Sequence, residues 1–199
     1  MMDFAMEQIY EKEKSNKLMI NILSHIVEFR NGESGLHVLH IQTITEMLLR
    51  QLVQKENNRY ALSKEQIRMI TTASALHDIG KISIPDEILN KPGRLTAEEF
   101  AVIKGHSMAG ANMLSELPLD QKEEPLVKTA YEICRWHHER YDGGGYPDGL
   151  KGEEIPVSAQ VVALADVYDA LTSERCYKDA YSHEKAIEMI LAGQCGAFN

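Results

Sequence analysis

Residues 136–149 read WHHERYDGGGYPDG. The stretch closes a helical pattern in which Leu126, Ala130, Ile133 and His137 recur at three-to-four spacing, and Pro125 suits that helix's first turn. Adjacent histidines, His137 and His138, then stand at the end of an inward-facing stripe. Buried imidazoles need polar partners, so two in a row ask for something other than apolar packing. Gly143, Gly144 and Gly145 cannot continue a helix, and glycine lets the backbone turn sharply or approach closely. They read either as a helix terminator or, with Tyr146 and Pro147 attached, as a lip on a site or a docking surface.

Outward from this stretch the pattern repeats. A helix over about 35–55 carries His37, Ile41, Ile44, Leu48 and Leu52 on one stripe. Ser63 and Gln66 form a capping box for the next, whose stripe is Ile67, Ile70, Ser74 and His77, with Gly80 as its stop. Thr96 and Glu99 form another, opening a helix with Phe100, Ile103, His106, Gly110 and Met113. Pro156 opens a helix bearing Val162, Asp166 and Asp169, and Ser182 caps a last one reaching about Leu191. The opening helix, about 4–30, places Leu18, Ile22, Ile26 and Phe29 at helical spacing before Asn31-Gly32 stops it. Strand-like alternation is scarce and no repeat of solenoid length occurs, so the expectation is an all-α bundle. Residues 1–30 are expected to be a connector helix from an upstream domain, able to pair with a second copy as a homodimer. Residues 31–199 are expected to be the main domain, shortened at its C-terminus.

Composition narrows the function classes. A net charge of −9 argues against a partner that is polymeric nucleic acid, and 44% apolar residues suit a globular core. No apolar run is long enough to span a membrane, and no basic-then-apolar leader is present. Cys134, Cys176 and Cys195 form no CxxC pair and read as free thiols, which points to the cytoplasm.

Histidine appears in the apolar stripe of four helices, as His37, His77, His106 and His137, and Asp166 in a fifth. One such histidine is ordinarily a satisfied core residue. Four on four inward faces would each need a separate buried partner, whereas a shared metal site satisfies them together. Imidazole and carboxylate suit iron, manganese or zinc, and the three cysteines form no CxxC pair of the kind a structural thiolate zinc site uses. The candidate ligands Glu33, His37, His77, Asp78, His106, His137, His138 and Asp166 exceed what one ion needs. They point to two or three divalent ions bridged by carboxylate. Clustered metals suit phosphoryl chemistry, generating hydroxide near neutral pH and clamping both oxygens of an in-line displacement.

The segments ALHDIGK and HHERYDGGGYP, together with IPDEILNKPGRLTAEEF, KGHSMAG and ALADVYDALTSERCYK, resemble the HD-GYP branch of the HD superfamily of metal-dependent phosphohydrolases. The resemblance implies an HD-type helical bundle with a metal centre between helices. It also implies hydrolysis of cyclic di-GMP to linear pGpG, and on to GMP, by metal-activated hydroxide. It makes Glu33, His37, His77, Asp78, His106, His137, His138 and Asp166 the metal ligands, with Asp78 the bridge and Glu33 the acid of three-metal members. Asp78 and Lys81 are the catalytic residues it implies. Lys81 is also implied at the substrate phosphate, with Tyr146, Asp169, Arg175 and Lys178 as the other substrate contacts. Iron or manganese is expected, with zinc, nickel and magnesium as alternatives. A diguanylate cyclase (GGDEF) partner is implied at the GYP loop. Three readings therefore compete: the phosphodiesterase, a silent module binding the dinucleotide or the cyclase, and an HD enzyme acting on another nucleotide or using oxygen at a di-iron centre. The sequence departs from the family pattern at His40 and Gln160, where arginine is common, and at Cys176, where proline is common. His40, one turn from His37, is either its hydrogen-bonding support or part of a solvated helix face.

Overall fold

The computed structural model describes residues 2–31, 35–55, 59–174 and 179–199. Glu33, Arg175, Cys176 and Lys178 lie outside the described residues. The elements are α1 (Met2–Arg30), α2 (His37–Gln54), α3 (Lys64–Ser74), a 3₁₀ turn (Ile79–Ser83), α4 (Asp86–Leu89), α5 (Ala97–Ser115), α6 (Leu119–Lys122), α7 (Pro125–Trp136), a second 3₁₀ turn (Gly152–Glu154), α8 (Val157–Thr172) and α9 (His183–Leu191). No β-strand occurs among the described residues, so the fold is the all-α bundle expected.

Both predicted capping boxes form. Ser63 Oγ accepts from Gln66 N at 3.1 Å while Gln66 Oε1 accepts from Ser63 N, and Thr96 with Glu99 repeats the exchange at the head of α5. Helices α2, α3, α7 and α8 pack around one apolar cluster of Ile41, Leu49, Ile67, Ile70, Ala73, Ala130, Ile133, Val161, Val162 and Ala165. Burying each of its larger side chains contributes roughly 1.5–3 kcal/mol. The cluster also fixes the polar groups. His37, His77, His137 and Asp166 each lie four residues from a core member (Ile41, Ala73, Ile133 and Val162), so packing the stripe carries all four to one end of the bundle.

One expectation needs correction. The α3 helix stops at Ser74, not Gly80. His77 stands in the turn that follows, its N–H reaching Ser74 O at 3.3 Å. The apolar stripe of α1 faces out: Leu18, Ile22, Ile26 and Phe29 are 44–80% exposed, and Ser24, Val27 and Glu28 are the buried set. α1 docks by its C-terminal end. There Arg30 Nη1 donates to Lys81 O and Ile82 O, and Nη2 to Ile84 O and Asp86 Oδ1, clamping the first 3₁₀ turn. On α5 the buried residues are His106, Ser107, Gly110 and Ala111, while Phe100 and Met113 are exposed.

Gly80 lies where the first 3₁₀ turn meets α5. A Cβ there would come within 1.9 Å of His106 O and 2.5 Å of Gly110 N, so only glycine permits the contact. The C-terminal residues return to the same region as the glycine loop. Tyr141 N donates to Ala197 O, Arg140 lies over the Phe198 ring, and Asn199 Nδ2 donates to Tyr60 Oη.

Candidate metal centre

Seven of the expected ligands come together in two adjoining groups. Asp78, His106, His137 and His138 form one; His37, His77 and Asp166 form the other. In each group the ligand atoms lie within 4.8 Å of one another. Asp78 joins them: Oδ1 is 3.1 Å from His106 Nε2 and 3.8 Å from His137 Nε2, while Oδ2 is 3.2 Å from His77 Nε2.

Hydrogen bonding on the far side of each ring fixes which nitrogen faces inward. His77 Nδ1 donates to Ser74 O at 2.9 Å, His106 Nδ1 to Ile103 O at 2.7 Å, and His137 Nδ1 to Ile133 O at 2.8 Å. His37 Nδ1 lies 2.6 Å from Asp169 Oδ2. Backbone carbonyls and an ionised carboxylate only accept, so each of these rings holds a proton on Nδ1 and turns its Nε2 inward. The Nε2 atoms of His106 and His137 therefore face each other at 3.3 Å, a spacing at which two lone pairs repel unless a cation stands nearby. His77 Nε2 and Asp78 Oδ1 are buried without a hydrogen-bond partner. Buried orphans of this kind are costly. A metal ion would satisfy them together, so the donor set fits one.

The electrostatics agree. Burial opposes ionisation of Asp78, yet Lys81 and His77 hold its carboxyl well below the usual range. Lys81 Nζ is 2.7 Å from Asp78 Oδ2. Burial lowers His137 to about 3, with His77 and His106 adding to the effect, and burial also keeps His138 well below its usual value. His77 goes the other way. Burial works against its proton, but Asp78 and Asp166 raise it to about 9, so without a metal His77 carries the charge.

The glycine loop forms the wall beside His138. Glu139, buried, accepts from the N–H groups of Asp148 and Gly149 through Oε1, and Asp148 in turn accepts from Arg135 and Trp136. A Cβ on Gly145 would sit 2.4 Å from Arg140 N and Glu139 Cα, so the loop folds tightly over the end of α7. The α7 helix ends at Trp136, well before Gly143, so the three glycines are not its terminator. Tyr146 stacks on the His138 ring, centroids 4.7 Å apart, with Lys104 Nζ 5.6 Å from the Tyr146 ring. Burial raises the Tyr146 phenol, which keeps its proton.

Asp169, expected at the substrate, sits behind His37 with both oxygens engaged by protein groups. The reading from sequence missed Glu28, whose Oε1 is 3.9 Å from His37 Nε2 and which is 2% exposed. Only the α1 register, with Ser24, Val27 and Glu28 on one face, could have signalled it. Among the described residues no helix is long and apolar enough to cross a membrane, and Cys134 and Cys195 are free thiols.

A family profile described as "HD domain" matches residues 17–195. The chain is 40% identical over 195 residues to a probable cyclic di-GMP phosphodiesterase of Vibrio cholerae, covering 95% of this chain and 43% of the relative. It is 38% identical over 188 residues to the cyclic di-GMP phosphodiesterase response regulator RpfG of Xanthomonas campestris, covering 94% and 46%. It is 39% identical over 181 residues to a 3′3′-cGAMP-specific phosphodiesterase 2 of Vibrio cholerae, covering 91% and 32%. The chain thus spans less than half the length of each of these relatives. In fold it resembles a cyclic GMP-AMP-specific phosphodiesterase of V. cholerae, with a TM-score of 0.61 and 18% identity over 92% of this chain and 45% of that one. It also resembles Bd1817 of Bdellovibrio bacteriovorus, with a TM-score of 0.60 and 19% identity over 97% of this chain and 63% of that one.

Proposed function

The chain belongs to the HD domain family, and we propose that it hydrolyses a phosphodiester bond of a cyclic dinucleotide, cyclic di-GMP foremost, to linear pGpG and then GMP. The observation that carries this reading is the pair of donor groups joined where Asp78 reaches His77, with Nε2 atoms converging and Lys81 beside the Asp78 carboxylate. Asp78, His106, His137 and His138 would hold one divalent ion and His37, His77 and Asp166 a second, with Glu33 assigned to a third. Iron or manganese suits this mixture of imidazole and carboxylate. When bound, such ions supply Lewis-acid stabilisation of a phosphoryl group and lower the pKa of water.

The chain's own groups do the rest. Lys81 brings a cation to within 2.7 Å of Asp78 and would offset charge building on the phosphoryl oxygens as the ester bond breaks. Tyr146, protonated and fixed against His138, offers a hydroxyl donor at the rim. Arg175 and Lys178 are assigned to the dinucleotide backbone. Asp169 is assigned to holding His37 rather than to substrate. The full donor set favours an enzyme over a silent binding module, which would not need it. The cytoplasm, a homodimer and a diguanylate cyclase partner at the Tyr146 loop remain part of this proposal; sedimentation and pull-down with a purified cyclase test the last two.

A second substrate has a specific observation behind it: relatives named for cyclic di-GMP and for 3′3′-cGAMP match at nearly the same identity. Manganese-loaded protein offered cyclic di-GMP, 3′3′-cGAMP and cyclic mononucleotides should cleave a cyclic dinucleotide and leave the mononucleotides intact. Binding of cyclic di-GMP without turnover of any of them would replace the enzyme reading with the silent module.

A further inference from the structure

Asp169 is 3% exposed on α8, and its carboxylate is shared among three protein groups. Oδ2 lies 2.6 Å from His37 Nδ1. Oδ1 lies 2.7 Å from His40 Nδ1 and accepts from Ser173 Oγ at 2.8 Å. Burial opposes its ionisation, but hydrogen bonds from His37, Ser173 and His40 hold the carboxyl below its usual range. An ionised carboxylate only accepts, so both imidazoles donate to it from Nδ1. His37, with its proton committed there, turns Nε2 to the centre, 3.8 Å from Asp166 Oδ1.

His40 is the outer end of this chain of contacts. Its side chain is 41% exposed, one turn along α2 from His37. On a plain solvated face its ring would turn freely. Its 2.7 Å contact instead fixes the oxygen of Asp169 that does not hold His37. A carboxylate tethered at one oxygen can swing about that contact, whereas one tethered at both cannot. Support behind a ligating imidazole sets the ring's tautomer and orientation, and losing it typically weakens metal binding about 10–100-fold.

We propose that His40 is a positioning residue for the centre: by donating to Asp169 Oδ1 it fixes that carboxylate, and through it the orientation of His37 and the metal affinity of the His37–His77–Asp166 group. This rests on the reading that the group binds a metal ion. Because Ser173 also reaches Oδ1, the effect belongs at the lower end of the usual range, about tenfold.

The test is titration of chelator-stripped protein with Mn²⁺, following free Mn²⁺ by electron paramagnetic resonance, with thermal melting of each metal-free variant alongside. The wild-type chain is expected to fill at least the two sites formed by the described donor groups. His40→Ala should weaken one site about tenfold and leave the other unchanged, with no fall in the metal-free melting temperature. His40→Asn, whose amide nitrogen can take the place of Nδ1, should restore affinity to within about threefold. Asp169→Asn should weaken the same site at least as much as His40→Ala. Wild-type affinity at both sites in His40→Ala would overturn the inference while leaving the metal centre standing. So would a loss matched by a lower metal-free melting temperature and not rescued by asparagine. A wild-type chain that binds no Mn²⁺ would overturn the metal centre and this inference together.

Discussion

At the scale of single residues, the centre depends on atoms whose ordinary partners are missing. His106 and His137 spend their Nδ1 protons on backbone carbonyls one turn back in their own helices, so their paired Nε2 atoms have only a cation left to meet. That much was legible in the sequence, because histidines on inward stripes signal a shared partner. The close approach behind them was not. Gly80 looked like a helix stop, yet its role is steric: its Cα hydrogen points at the backbone of α5, where a methyl group would lie 1.9 Å from His106 O. That neighbour is backbone and cannot swing aside. Gly80→Ala should therefore destabilise the protein by about 1–3 kcal/mol and, by displacing His106, reduce bound metal. A denaturant midpoint and metal content equal to wild type would show that the contact can relax. Glu28 and Asp169 were legible as residues but not as roles, because no local pattern tells which groups a carboxylate will face once helices cross.

At the scale of elements, helix starts were the most legible feature. The boxes at Ser63 and Thr96, the proline heading α7 and the serine cap of α9 rest on neighbours within a few residues, and all appear in the structure. One reading failed for a physical reason. The spacing Ser74–His77 fits an α-helix and a 3₁₀ turn alike, so periodicity could not show that α3 ends before the ligand. The apolar stripe of α1 shows that a face is greasy, not that this bundle covers it. In the structure α1 meets the first 3₁₀ turn and α2, and Ser24, Val27 and Glu28 are its buried residues. Arg30 is the main fastener, with donors on three carbonyls of the segment that carries Lys81. Arg30→Ala should lower stability by about 1–2 kcal/mol, the partial exposure of its bonds keeping the figure modest. It should also slow turnover while leaving metal content intact, because Lys81 loses its support but Asp78 does not. Unchanged turnover would mean that the 3₁₀ turn holds its shape unaided.

At the scale of the whole molecule, the buried centre links stability, pH and metal. In the metal-free protein His77 is raised to about 9, above its value of 6.5 in an unfolded chain. Its contribution to stability is therefore present below about pH 6.5 and lost as the pH rises through about 9. His137, lowered to about 3, contributes with the opposite sign. Below about pH 6.5 the unfolded chain takes up a proton that the folded one refuses, so that contribution is lost as the pH falls. Metal ligation requires both rings neutral, and the proton on His77 must leave. Mn²⁺ affinity should accordingly rise from about pH 6.5 to about pH 9, by up to tenfold per unit for one proton. The gain in melting temperature from a fixed Mn²⁺ concentration should be larger at about pH 8.5 than at about pH 6.5. Equal gains would show that His77 carries no proton for the metal to displace.

The most direct measurement is turnover of cyclic di-GMP under anaerobic conditions by three preparations: chelator-stripped protein, the same protein reloaded with Mn²⁺ or Fe²⁺, and reloaded Asp78→Ala. Linear pGpG, formed only by the reloaded wild-type chain, is the predicted result, since Asp78 belongs to one donor group and reaches His77 of the other. Product from the stripped protein, or undiminished turnover by folded Asp78→Ala, would contradict the account at its centre.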